Sequence, residues 1–280
     1  IGNGLFWSVN RLELNNLTSL QILYIGNGCY EKVRVFELDG LSELESVVIG
    51  QKSFRIRGDE RNDGSYRIVN CPKLKSIQIG KESFSDYHSF ELNNLPSLQS
   101  IMIGNECFRK VRVFELDGLS ELESVVVGRE SFMISDKERN DGSYRIVNCP
   151  KLKSIQIGKE SFSDYHSFEL NNLPSLQSIM IGNECFRKVR VFELDGLSEL
   201  ESVVIGWISF MISGRKRYDG SYRIMNCPKL KSIQIGTRSF FDYHSFKLNN
   251  LPSLQSIVIG HGCFLHAPSF SLTGLIDGLV

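Results

Sequence analysis

The chain has no surplus of charge: 32 Lys and Arg are balanced by 32 Asp and Glu. That balance removes the chain-wide attraction on which nucleic-acid and acidic-membrane binders depend, so no nucleic-acid partner is expected. It also has no apolar run approaching the 18 or so residues that a membrane helix needs, and membrane insertion is not expected. No segment sustains a 3.6-residue apolar period between its Gly, Asn and Pro residues, so long helices should be few or absent. Disorder and a collagen-like chain are excluded in turn by a content of 41% hydrophobic and 23% charged residues. The chain opens on Ile1-Gly2, with neither an initiator Met nor a charged-then-apolar leader, which leaves secretion undecided.

What is present is repetition. Leu-Asn-Asn-Leu stands at 14–17, 92–95, 170–173 and 248–251, a spacing of 78 residues. Asn-Cys-Pro-Lys-Leu-Lys-Ser-Ile-Gln-Ile-Gly recurs at 70–80, 148–158 and 226–236. Each block splits further: aligning Leu20, Leu44, Leu74, Leu98, Leu122 and their successors to Leu254 gives intervals of 24, 30 and 24 residues, repeated. The shared pattern is aromatic-x-apolar-x-x-apolar-x-x-Leu-x-x-apolar-x-apolar-Gly-x-x-(Ser or Cys)-aromatic, and only Leu12 departs at the opening site.

Identical apolar positions in every unit need a core that runs along an axis, which a solenoid supplies. Leu98, Ile101 and Ile103 end in period-2 alternation, so this stretch reads as a short strand with one buried face, and stacked units make a parallel sheet. Val111 to Leu116 alternates likewise and predicts a shorter second strand opposite. A single helical turn at most fits Lys81-Glu82-Ser83-Phe84. Asn16, Gly40, Asn70, Asn94 and Gly118 sit four before the aligned Leu, where positive φ is expected. The column Tyr30, Phe54, Phe84, Phe108 and onward to Phe264 is read as stacked core rather than as a base-stacking platform. The expected architecture is a right-handed parallel solenoid of about eleven turns over residues 1–280, forming one elongated domain. Because Ile1 enters at a last strand position and Gly278-Leu279-Val280 breaks the register, it is expected to belong to a longer protein.

At Leu98-Gln99-Ser100-Ile101-Met102-Ile103-Gly104-Asn105-Glu106-Cys107-Phe108 the chain resembles the leucine-rich repeat superfamily and its L-x-x-L-x-L-x-x-N-x-L segment. Ile79-Gly80 with Ser83-Phe84, and Asn70-Cys71 before Leu74, resemble the BspA-like, Treponema-type subclass. The family's Asn site holds Glu106, Glu82 or Lys52 here, and the subclass step I-P-x-x-V is missing. The resemblance implies a protein-binding scaffold, often at a cell surface or in recognition, and not an enzyme.

Catalytic and metal chemistry finds little support. The cysteines form two columns, Cys29, Cys107, Cys185 and Cys263, and Cys71, Cys149 and Cys227. Members lie three turns apart, roughly 14 Å at ordinary strand spacing and beyond disulfide reach, so they are read as small buried hydrophobes with free thiols. His88, His166 and His244 of the repeated Asp-Tyr-His are equally far apart and are read as surface turns, with Asp86 positioned to pair with Lys110. No catalytic residue, metal or cofactor is expected. Arg57-Gly58-Asp59 spells an adhesive tripeptide but is not repeated at Ser135-Asp136-Lys137 or Ser213-Gly214-Arg215. Asn16-Leu17-Thr18 is a glycosylation sequon by pattern, although Asn16 belongs to the structural Asn/Gly column. Free thiols fit the cytoplasm and the resemblance fits a cell surface, so the compartment stays open.

Comparison within the chain is more informative about partners. Residues 36–113 and 114–191 differ at seven of 78 sites: Ile49/Val127, Gln51/Arg129, Lys52/Glu130, Arg55/Met133, Arg57/Ser135, Gly58/Asp136 and Asp59/Lys137. All fall at a strand exit and in the insertion that lengthens every third turn. The next block alters the same window to Trp207, Ile208, Gly214, Arg215, Lys216 and Tyr218, and also changes Thr237, Arg238, His261 and Gly262. Drift at tolerant loops and a diversified binding edge both account for this. The edge account places a protein or peptide ligand on Trp207, Ile208, Arg215, Lys216, Tyr218, Arg129, Glu130, Gln51 and Lys52, with Trp207 as anchor. Its competitors are a repetitive adhesive array working through the strand face, and a homotypic contact through open solenoid ends.

Overall fold

The structure, a computed structural model, describes residues 1–6, 8–56, 64–134, 142–212 and 219–274. Strands alternate between two sides of the coil. In chain order they are β1 Arg11–Asn15, β2 Ile22–Ile25, β3 Val35–Asp39, β4 Ser46–Ile49, β5 Gly64–Val69, β6 Ser76–Ile79 and β7 Tyr87–Asn93. Then follow β8 Ser100–Ile103, β9 Val113–Asp117, β10 Ser124–Val127, β11 Gly142–Val147, β12 Ser154–Ile157, β13 Tyr165–Asn171 and β14 Ser178–Ile181. The last are β15 Val191–Asp195, β16 Ser202–Ile205, β17 Gly220–Met225, β18 Ser232–Ile235, β19 Tyr243–Asn249, β20 Ser256–Ile259 and β21 Ser269–Thr273. The described residues contain no helix; Lys81 to Phe84 is a turn.

The even-numbered strands form one unbroken ten-stranded parallel sheet, β2 to β20 in sequence order. Its register is the coil period: Ser100, Ile101, Met102 and Ile103 pair with Ser124, Val125, Val126 and Val127. The odd-numbered strands line the opposite side in three parallel sheets, β1-β3-β5-β7, β9-β11-β13 and β15-β17-β19-β21. Both breaks, β7 from β9 and β13 from β15, fall at the same point of the 78-residue block. This is a parallel β-solenoid with one unbroken sheet on one side and short strands opposite.

Two aromatic columns fill the axis. Rings from Phe6 through Tyr30, Phe54, Phe84 and on to Phe264 stack with centroids 4.5–5.4 Å apart. The opening aromatic site makes a second stack, Phe36, Tyr66, Phe90, Phe114, Tyr144 and beyond, which meets the first edge-on, as at Phe114 and Phe132 (5.0 Å, 76°). Stacked contacts along a column and T-shaped contacts between columns are the two arrangements that the ring quadrupole favours. In the Asp-Tyr-His triplets, Tyr87, Tyr165 and Tyr243 are buried core, not surface turn. Their hydroxyls donate to the carbonyls of Val33, Val111 and Val189 at 2.7–2.8 Å, spanning two coils.

Positive φ occupies the expected column, from Asn16 (57°) and Gly40 (68°) onward. It also occupies two further residues at every strand exit, such as Glu106 (60°) and Phe108 (53°). There the Glu106 N–H bonds forward to the Arg129 carbonyl at 2.7 Å, and the Phe108 N–H bonds back to that of Phe84 at 3.2 Å. The left-handed backbone, which costs an ordinary residue roughly 1–2 kcal/mol, thus ties each exit to the coils on both sides.

The buried hydrogen-bond ladder runs through the Ser/Cys column instead of the family's Asn site. Ser131 Oγ accepts the Cys107 N–H at 3.1 Å and donates to the Gly104 carbonyl at 2.8 Å. Ser161 repeats this against Ser131 and Gly128. Where cysteine takes the position, the Cys107 thiol donates to the Gly80 carbonyl at 3.3 Å. Glu106 itself lies toward solvent, in an ion pair with Lys81 at 3.4 Å. The Ile-Gly-x-x-Ser-Phe element that carries the subclass resemblance is therefore a complete structural unit: strand end, close-packed glycine, ladder hydroxyl and stacked ring.

Candidate binding edge at the strand exits

Each exit presents two residues after its glycine. The glycine is required because the coils touch there through backbone: a Cβ on Gly236 would lie 2.5 Å from the Trp207 nitrogen. The two residues that follow it stack along one rim of the solenoid. The outer column reads Asn27, Gln51, Lys81, Asn105, Arg129, Lys159, Asn183, Trp207, Thr237 and His261. Asn105 and Asn183 tie this column to the following coil, their Oδ1 atoms accepting the N–H of Arg129 at 2.8 Å and of Trp207 at 3.0 Å.

Trp207 breaks the column's polarity. It is 41% exposed, in an outer column whose other members are polar. The Lys159 Nζ stands 5.7 Å from the centre of its ring, a cation-π contact from two coils away. Lys159 also pairs with Glu160 at 2.8 Å and Glu184 at 3.7 Å, and the hydrogen bond to Glu160 leads the interactions that raise its pKa. Beside the ring an open groove of about 560 Å³ is lined by Trp207, Ile208, Gly236, Thr237, Arg238 and His261.

Ile208 is half-buried and sits at φ 56°, its N–H held by the Thr237 carbonyl at 2.9 Å. A β-branched residue in this region is a genuine outlier, since the branched Cβ crowds the following carbonyl. Lys52, Glu82, Glu106, Glu130, Glu160, Glu184 and Arg238 fill the same site unbranched, and Gly28 and Gly262 fill it without strain.

The sequence-predicted residues form a line rather than a cluster. Gln51 and Lys52 follow β4, Arg129 and Glu130 follow β10, and Trp207 and Ile208 follow β16, with two strands between successive pairs. At about 4.8 Å per strand the pairs stand roughly 14 Å apart. All share the rim, with Gln51, Lys52 and Arg129 exposed and Glu130 half-buried. Arg215, Lys216 and Tyr218, like Arg57-Gly58-Asp59, lie outside the described residues. The residues that do surround Trp207 are Lys159, Thr237, Arg238 and His261. The last three carried a signal, since they too depart from the repeat; Lys159 carried none, being identical to Lys81.

The strand face is a different surface. Glu45–Lys75, Glu123–Lys153 and Glu201–Lys231 pair across neighbouring strands at 2.8 Å. Each lysine holds its glutamate below the ordinary carboxylate pKa, chiefly by hydrogen bonding. Met102 and Met180 stand 49% exposed between these pairs. Asp86 pairs with Lys110 at 3.2 Å and Asp164 with Lys188 at 2.6 Å, so these aspartates serve the stack. All seven cysteines are free. Among the described residues no three His, Cys, Asp or Glu side chains gather as a metal site, and no helix is long and apolar enough to cross a membrane.

No protein-family model and no curated protein matches the chain. Among solved structures it is similar to a leucine-rich cell surface protein from Faecalibacterium prausnitzii A2-165, with 14% identity, 84% of this chain and 87% of that one covered, and a TM-score of 0.23. It is also similar to a leucine-rich repeat protein from Bacteroides ovatus ATCC 8483, with 16% identity, 95% and 92% covered, and a TM-score of 0.26. The fold class is carried by the chain's own geometry: one coil-long register repeated across ten parallel strands.

Proposed function

We propose that the chain is a non-enzymatic recognition scaffold that holds a protein or peptide ligand along the strand-exit rim, with Trp207 as anchor. The observation that carries this reading is Trp207 itself, 41% exposed in an otherwise polar outer column and followed by a β-branched residue at positive φ. Exposed aromatic anchors beside cations are where interface energy concentrates, and local strain retained against easy alternatives marks sites kept for something other than stability. The cysteine columns and the histidines of the Asp-Tyr-His triplets, by contrast, are spread along lines by the coil period, whereas an enzyme needs such groups convergent. The test is to isolate binders by affinity selection on the immobilised chain and compare two variants. Trp207→Ala should weaken binding by roughly 30-fold, the usual effect of truncating an anchor worth about 2 kcal/mol, and Lys153→Ala on the strand face should leave it unchanged. The opposite pattern refutes the rim.

A second reading, a repetitive adhesive or structural array, draws on the strand face, where the same Glu–Lys pair recurs at 45/75, 123/153 and 201/231. It predicts several weak equivalent contacts per chain, and a one-to-one tight complex is incompatible with it.

A further inference from the structure

The rim's inner column, the site of Ile208, changes charge sign at Trp207. Going toward the C-terminal end it reads Gly28, Lys52, Glu82, Glu106, Glu130, Glu160, Glu184, then Ile208, Arg238 and Gly262. Four of the five glutamates on the N-terminal side are held within the chain: Lys81 bridges Glu82 and Glu106 at 3.3 and 3.4 Å, and Lys159 bridges Glu160 and Glu184. Beyond Trp207 the rim carries no carboxylate, only Thr237, Arg238, His261 and Gly262. Arg238 is exposed, and among the described residues its guanidinium makes no ion pair, whereas those of Arg11, Arg55, Arg67, Arg145, Arg190 and Arg223 do. The groove is therefore apolar on the Trp207 and Ile208 side and cationic on the other, while Lys159 caps the ring from the third direction.

We infer that this groove binds an acidic peptide segment. An apolar side chain of the segment lies on Trp207 and Ile208, and a carboxylate one or two residues away pairs with the Arg238 guanidinium, next to His261. The inference rests on the rim reading above and adds the partner's chemistry. Charge complementarity selects this occupant: a basic segment would meet Lys159 and Arg238 as like charges, and a wholly apolar one would leave Arg238 covered without a counter-ion. A guanidinium offers a planar fork that matches a carboxylate, so the pairing also fixes orientation.

The experiment pans a phage-displayed random dodecapeptide library on the immobilised chain, then titrates the enriched peptides, made synthetically, into the Trp7→Phe variant. Of the two tryptophans this leaves Trp207 as reporter. The expected result is enrichment of Asp or Glu within two residues of an apolar side chain and a change in Trp207 emission on binding. Arg238→Glu should weaken these peptides about tenfold and, when panned itself, select Lys or Arg in their place. Binding should also weaken as salt rises from about 50 to 300 mM, because the charges are exposed to screening. Peptides that change Trp207 emission but show no acidic preference, or ignore Arg238→Glu, overturn the acidic partner and leave the rim standing. Peptides that bind equally to Trp207→Ala overturn the rim itself. Self-association of the chain that Trp207→Ala abolishes assigns the groove to a second copy and overturns the inference, as does a selection that enriches nothing over a blank surface.

Discussion

Two fully buried tyrosines one coil apart should respond to the same substitution with opposite signs. Tyr144 is stacked between Phe114 and Phe168 at 5.2 and 5.3 Å, and its hydroxyl is buried with no hydrogen-bond partner among the described residues. Tyr165 meets Phe162 edge-on at 5.0 Å, and its hydroxyl donates to the Val111 carbonyl at 2.8 Å. A buried hydroxyl without a partner costs about 1–3 kcal/mol, whereas a made bond is worth about 1 kcal/mol and its removal also strands the acceptor. Tyr144→Phe should therefore stabilise the chain by about 1 kcal/mol; phenylalanine already fits this column at Phe114 and Phe168. Tyr165→Phe should destabilise it by about 1–2 kcal/mol. Tyr66 and Tyr222 are orphaned in the same way, three coils to either side. Sites this far apart add, so the triple Tyr66→Phe, Tyr144→Phe, Tyr222→Phe variant should gain about 3 kcal/mol. Urea unfolding followed by circular dichroism reads the effect as a shift of midpoint at constant slope. A Tyr144→Phe variant as destabilised as Tyr165→Phe would refute the reasoning, because it would mean the hydroxyl has a partner after all.

The close approach of the coils can be tested with glycines. A Cβ on Gly158 would sit 2.6 Å from the Gly128 carbonyl carbon and from the Arg129 nitrogen, whereas one on Gly118 would meet nothing within 4 Å. Gly158→Ala must push apart neighbouring coils that the Gly158 N–H to Val127 carbonyl bond holds at 2.8 Å. It should cost about 3 kcal/mol or more, against about 1 kcal/mol for Gly118→Ala, which pays only for its positive φ. Equal losses in urea midpoint would show that the stack yields. For the thiols, burial pushes Cys107 and Cys185 up to about 12 and Cys149 and Cys227 up to about 11. Folding then favours the protonated form, so this stability is fully present below the unfolded value near 9 and is lost as pH rises through 11 to 12. At pH 8.5 these four should resist iodoacetamide in the native chain, with all seven thiols titrating after denaturation; fewer than seven would mean bridges.

What the sequence made legible, and what it hid, divides by range. The strands, the stacked column at Phe54 and Phe84 and the Glu123–Lys153 pair all follow from one coil repeated, because a solenoid turns a fixed interval along the chain into contact between neighbours. The Ser131 ladder was not legible because serine in a turn is compatible with solvent; only burial on both sides makes its hydroxyl the acceptor for Cys107. Positive φ at Phe108 was hidden because the usual signal is Gly or Asn, and here the stacked ring and the backward N–H bond to Phe84 outweigh the propensity. Tyr165 was masked by its neighbours Asp164 and His166, which do face solvent. At the rim the repeat served as its own control: Gln51 and Arg129 mark what a coil needs at that place, so Trp207 stands out as something it does not need. What the control could not report is company. Lys159 is unremarkable in its own coil and acquires its role only because a tryptophan appears two coils later, and Arg238 is informative only against glutamates that lie up to six coils away. A site of this kind is written in the differences between coils, and its chemistry in which differences the stacking brings together.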